Sequence, residues 1–195
     1  MAIAYTFDDI LVNGIRSGQV PARTRKARDW YRKKARETSI TQTKLVSDKD
    51  RLRSRFLPGS MYFFVYDPKT KKKLPYYDRF PLVVVMESAP GGFLGLNLHY
   101  LPYAERAKLM DALYTITTNK KFDDKTRIKA TYDTLKSAGK FKNFKPCIKR
   151  YLSGHVKSRF VYVNPTEWDI ALFLPVENFK KASKSKVWSE SRGKI

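Results

Sequence analysis

Arg23, Arg25, Lys26, Arg28, Lys33, Lys34 and Arg36 crowd into one segment, ARTRKARDWYRKKARET, and supply the strongest chemical signal in the chain. Guanidinium and ammonium groups at this density neutralise the phosphates of a nucleic acid or grip an acidic protein face. Trp30 and Tyr31 lie within the segment and Trp188 lies in a basic tail. Aromatic side chains in such places suit anchors for a partner's pocket. The rival reading of a charge run is a solvated helix face. Against it stands the whole-chain balance, 40 Lys and Arg to 18 Asp and Glu for a net charge of +22, which leaves too few carboxylates for internal neutralisation. A polyanionic or acidic partner is therefore expected.

Catalytic patterns are missing. The sequence has no phosphate-binding loop, dinucleotide glycine fingerprint, zinc spacing or serine elbow. Asp67, Asp78 and Glu87 are the carboxylates of the central stretch, and none precedes a Glu-x-Lys pair of the kind that would build a metal-dependent nuclease. His99 is expected to satisfy a nearby carbonyl or carboxylate, and Cys147, with only His155 near it in sequence, to be a small buried apolar side chain. One cysteine and two histidines give neither a disulfide nor a metal set. No enzymatic activity, catalytic residue, cofactor, metal or small-molecule substrate is expected. Residues 1–13 lack the features of a signal peptide, and no apolar run approaches the roughly 18 to 20 residues of a membrane span.

The elements that must position these residues are organised around residues 58–102. Three apolar segments (61–66, 82–86 and 93–98) are divided by Asp67-Pro68-Lys69, Pro75 with Pro81, and Pro90-Gly91-Gly92, the punctuation of a small antiparallel sheet. Segment 61–66 is aromatic on both faces, so both should meet protein. Residues 74–81 read as an arch between prolines. Residues 1–20 read as an extended arm, and 22–38 as a helix whose apolar stripe is too narrow for deep burial.

Pro102 opens a helix with Leu109, Met110, Leu113 and Ile116 as core, and Asp123 and Asp124 cap a second helix closed by Gly139. Phe141 and Phe144 of the basic loop 140–145 either stack bases or plug the sheet, with plugging favoured. Pro146 is expected to open a short helix through Leu152. Residues 160–163 return as a strand, and Asn164-Pro165-Thr166-Glu167 reads as a capping box leading into helical turns, with a strand through 168–174 as the competitor.

The sum is an α+β chain: a small curled or SH3-like antiparallel β-barrel with inserted helices and extended N- and C-terminal arms. Its divisions are a basic arm and helix (1–55), a core domain (56–179) and a basic tail (180–195). Residues 79–84, RFPLVV, are similar to the Arg-Pro-x-Val-Val stretch of barrel-type toxin ribonucleases with Phe80 inserted, a likeness that bears on fold and not on activity.

Taken in order, MYFFVYDPKTKKKLPYYDRFPLVVV, GGFLGLNLHYLP, KPCIKRYL, NPTEWDIALFLPVENF and KVWSES resemble a family of small basic proteins of contractile-tailed bacteriophages, including T-even-like phages of marine and cyanobacterial hosts. The likeness runs from about residue 27 to the C-terminus. It implies a virion or virion-assembly protein made in the host cytoplasm, with other phage subunits as partners, DNA as a further candidate, and no membrane. The leading expectation is then a non-enzymatic structural protein, a tail or baseplate adaptor stapling larger subunits. The alternative is a nucleic-acid-binding protein in phage DNA packaging, end protection or recombination.

Overall fold

Short runs of β-branched and aromatic residues bounded by Pro and Gly become strands, as their pattern requires. The computed structural model describes residues 25–37, 40–117 and 144–194. Within them lie eight strands: β1 (Leu52–Arg53), β2 (Met61–Phe63), β3 (Tyr77–Asp78), β4 (Leu82–Ala89), β5 (Gly92–Asn97), β6 (Ile148–Leu152), β7 (Phe160–Val163) and β8 (Phe179–Lys180). Five α-helices accompany them: α1 (Arg25–Glu37), α2 (Gln42–Ser47), α3 (Tyr103–Thr117), α4 (Trp168–Ala171) and α5 (Lys184–Gly193). Six strands form one antiparallel sheet in the order β1-β7-β2-β4-β5-β6, and β3 pairs with β8 apart from it. The α+β reading holds. The SH3-like barrel does not: β1 and β6 occupy opposite edges, so the sheet stays open. A bulge between Val85 and Glu87 bends β4 instead.

Both sheet faces are buried, as the aromatic segment 61–66 demands. Met61, Phe63, Leu82, Val84 and Leu96 face the larger core, where Tyr31, Leu109, Met110, Ile170 and Val187 cover them from the helices. Tyr62, Phe64, Val83, Val85, Phe93, Tyr151 and Phe160 form a second, mostly aromatic core on the other face. Phe93 stacks on Tyr151 at 5.3 Å, and Phe64 meets Phe93 edge-on at 5.8 Å.

Three local expectations are corrected. Residues 148–152 are an edge strand and not a helix, because Pro146 closes a single 3-10 turn (Lys145–Cys147) and the chain then pairs with β5. Helix α1 is seated more deeply than Trp30 and Tyr31 alone suggest. Ala27 and Ala35, one turn either side of Tyr31 and 1% and 0% exposed, let its backbone approach α4. The tail is no free arm: β8 pairs with β3, and Ser183 caps α5, which sends Val187 into the core. The capping box at Asn164 and Glu167 forms as read, followed by helical turns. The expected arm 1–20, the expected helix after Asp124 and Phe141 lie outside the described residues, whereas Phe144 is buried.

Gly91, at φ +73°, takes the left-handed position of the two-residue turn between β4 and β5. Its neighbour Gly92 is required for a different reason. A Cβ there would stand 1.8 Å from the Tyr151 carbonyl oxygen, so any side chain pushes β6 off the sheet. Gly92→Ala is expected to cost about 1–3 kcal/mol in urea unfolding. A wild-type midpoint would contradict this register.

Between the sheet and the tail lies a buried polar network. Asp78 Oδ1 accepts from the backbone N–H of Phe80 (3.0 Å) and Asn178 (3.3 Å), and Oδ2 from Asn97 Nδ2 (3.2 Å), with His99 Nδ1 at 2.7 Å. Arg106, fully buried, donates to the carbonyls of Leu101 (2.7 Å) and Leu172 (2.8 Å) and to Glu177 Oε1 (2.6 Å). Its guanidinium also stacks 4.6 Å from the Tyr103 ring centroid.

Candidate nucleic-acid interface

Helix α1 sorts its residues by face. Ala27, Tyr31 and Ala35 recur every four positions and point inward, which sends Lys26, Arg32, Lys33 and Arg36 into solvent. Not every cation of the segment is available. Arg28 is half-buried in an ion pair with Asp111, and Lys34 Nζ bonds Glu37 at 2.8 Å. That bond to Lys34 is the main cause holding the Glu37 carboxyl below its usual range. Arg32 leans toward the Tyr103 ring, 5.7 Å from its centroid. Lys26, Lys33 and Arg36 make no ion pair among the described residues. Arg25 is the first residue of the helix, and Arg23 lies outside the described residues.

The aromatic candidates serve the fold. Tyr31 is 1% exposed, and burial pushes its phenol pKa up. Trp30, half-buried, packs edge-on against Tyr31 with centroids 5.0 Å apart. The Trp188 indole N–H donates to the His99 carbonyl at 2.8 Å, and its ring meets Tyr103 edge-on at 5.4 Å. The pocket that Trp188 fills is the protein's own.

A further basic surface adds to the helix and the basic loop 140–145 read from sequence. The turn after Asp67 exposes Lys69, Lys71, Lys72 and Lys73. Lys71 Nζ reaches back to Asp67 at 2.9 Å, and Lys181 Nζ clamps the turn through the carbonyls of Lys71 (2.7 Å), Lys72 (3.0 Å) and Leu74 (2.9 Å). The run KTKKK was the visible signal. Its clamp, 110 residues away from Lys71, was not.

The three carboxylates weighed for a metal-dependent nuclease do not converge. Asp67 pairs with Lys71, Asp78 is buried in its network, and Glu87 is exposed on β4. His99 is fully buried against Asp78, the carboxylate partner its reading called for. Cys147 is buried, which pushes its thiol pKa up to about 12, and His155 turns its Nδ1 to the Asp67 carbonyl at 2.9 Å. No group of three His, Cys, Asp or Glu among the described residues is placed to hold a metal ion.

A family model described as the phage T4 terminal DNA protecting protein matches residues 3–192, nearly the whole chain. The chain belongs to that family. No curated protein and no solved structure matches it significantly. Membership in the terminal-protecting family upholds the T4-like phage origin read from the sequence and connects the chain with DNA. It overturns the tail or baseplate adaptor, since the family is named for protecting DNA termini, which was the alternative reading. The physical reason for the error is plain. A charge of +22 attracts an acidic subunit and a phosphate backbone by the same Coulomb law, and charge alone does not separate them.

Proposed function

We propose that this protein binds the ends of linear phage DNA and shields them, as a binding protein without a catalytic step, made in the host cell and carried with the genome. The observation that carries the reading is the family match across residues 3–192. The charge supports it: the outward face of α1 offers Lys26, Lys33 and Arg36 to phosphates, and the turn carrying Lys69, Lys72 and Lys73 offers a second cationic surface. Phosphate contacts from Lys and Arg position a protein on DNA without reading sequence, which suits a task at any terminus.

The test is a challenge of linear duplex with a double-strand exonuclease. Survival of full-length DNA is expected once protein matches the number of ends, whatever the length of the duplex. Digestion at the rate of free DNA, or protection that needs protein in proportion to base pairs, would refute end shielding.

A further inference from the structure

A groove among the described residues combines aromatic walls with a basic rim. It lies between the lysine-rich turn and edge strand β6, has a volume of about 490 Å³, and is walled by Tyr66, Tyr76, Tyr77, Tyr100 and Tyr151. Tyr76 and Tyr77 are half-buried and both line the groove. Lys69, Lys149, Arg150 and Lys194 edge it, against Asp78 in its lining and Glu190 at the Tyr76 hydroxyl. We propose that this groove receives the unpaired nucleotides of a frayed or overhanging DNA end, with bases stacked on Tyr76 and Tyr77 and phosphates held by the lysine rim. The inference rests on the end-binding role proposed above and adds the site and the form of DNA it takes.

Three features of the groove point to this ligand. Its volume falls within the roughly 300–1,000 Å³ of small-ligand sites, room for an unpaired nucleotide or two and too little for a double helix. Its aromatics come with cations, the combination that binds single strands, where rings stack bases and basic groups follow the backbone. Lys149 is the sharpest sign. It is half-buried over the Tyr100 ring, 4.0 Å from the centroid, and has no ion pair among the described residues. Burial depresses its pKa, a cost that a phosphate beside it would remove.

Such a groove would take bases without regard to sequence. Both oxygens of Asp78 are already engaged, by the backbone N–H groups of Phe80 and Asn178 and by Asn97 and His99. The Tyr66 hydroxyl accepts from the Leu152 N–H at 3.1 Å. With Asp78 occupied, a base entering the groove meets the half-buried Tyr76 and Tyr77 rings, and every base has a face to stack.

The experiment uses the full chain and duplexes of equal length that are blunt or carry a short 5′ or 3′ overhang with 2-aminopurine at the unpaired position. An overhang is expected to tighten binding at least about five-fold over a blunt end, and stacking to quench the probe. Tyr76→Leu and Tyr77→Leu should abolish the gain and the quenching while leaving blunt-end affinity within about two-fold. Lys69→Gln with Lys194→Gln changes only exposed rim residues and should remove most of the gain with the aromatic walls intact, so the test survives misfolding of either tyrosine variant. Equal affinity for blunt and overhanging ends, or a gain untouched by both variant sets, overturns the groove assignment. If blunt linear DNA is still preferred over closed circles, end binding stands without the groove. If no end of any kind is preferred, both readings fall.

Discussion

Arg106→Ala is expected to destabilise the protein by about 3–5 kcal/mol, a large fraction of the roughly 5–15 kcal/mol of an ordinary domain. Arg106 has no exposed surface, and its removal strips the Leu101 and Leu172 carbonyls and Glu177 of a donor at once. The Glu177 carboxylate, 2% exposed, would be left without the guanidinium beside it. Burial alone would push the Glu177 pKa up, but attraction to His99 and Arg106 outweighs it and holds the carboxyl below its usual range. A depressed folded-state pKa contributes stability that is present above the unfolded value and lost as pH falls through the folded one. The wild-type protein should therefore lose part of its stability below about pH 4, and the variant, already lacking that contribution, should lose less over the same interval. Arg106→Lys should rescue little, because one ammonium does not reach acceptors spread around a planar fork. Denaturant unfolding as a function of pH measures both effects, and a variant within about 1 kcal/mol of wild type would remove Arg106 from the centre of this account.

The second large effect concerns binding. Replacing Lys26, Lys33 and Arg36 with glutamine is expected to flatten the dependence of log affinity on log salt by about 3 and to weaken DNA binding roughly 100-fold near 0.1 M salt. All three side chains are exposed, so the fold should stand, and circular dichroism checks that it does. The size follows from counterion release, in which each phosphate neutralised contributes about 0.9 to the slope. An unchanged slope would move the phosphate contacts off α1, leaving the lysine turn as the cationic surface.

Much of the fold was legible in the sequence, for local reasons. Pro90-Gly91 marked the β4–β5 turn because only glycine takes the φ of +73° there at no cost, and Asn164 with Glu167 announced the helical turns they cap. What escaped was set by distant partners. Residues 148–152 follow a proline that also suits a helix start, and only pairing with β5 makes them a strand. Trp188 looks like an anchor for another molecule until α3 and the turn at His99 close around it. Ala27 and Ala35 carry too little apolar surface to advertise a buried helix face, yet their smallness is what admits the neighbour.

The candidate site divides in the same way. The basic helix was visible from composition, although the pairing of Arg28 with Asp111 and the inward turn of Tyr31 were not. The tyrosine groove was invisible, because its walls come from residues 66–77, 100 and 149–152, brought together by the sheet and its edge. The resemblance carried the phage origin. It did not carry the role, since net charge is blind to whether its counterpart is phosphate or carboxylate.

The central claim is that this chain recognises a DNA terminus and does not merely adhere to polyanions. The direct measurement is competition for a labelled linear fragment, at physiological salt, by the same sequence either linear or joined into a covalently closed circle. The linear competitor is expected to displace the probe at a concentration at least about ten-fold below the circle, a difference of roughly 1.4 kcal/mol. Equal competition by linear and closed DNA would contradict it and reduce the protein to a nonspecific cationic surface.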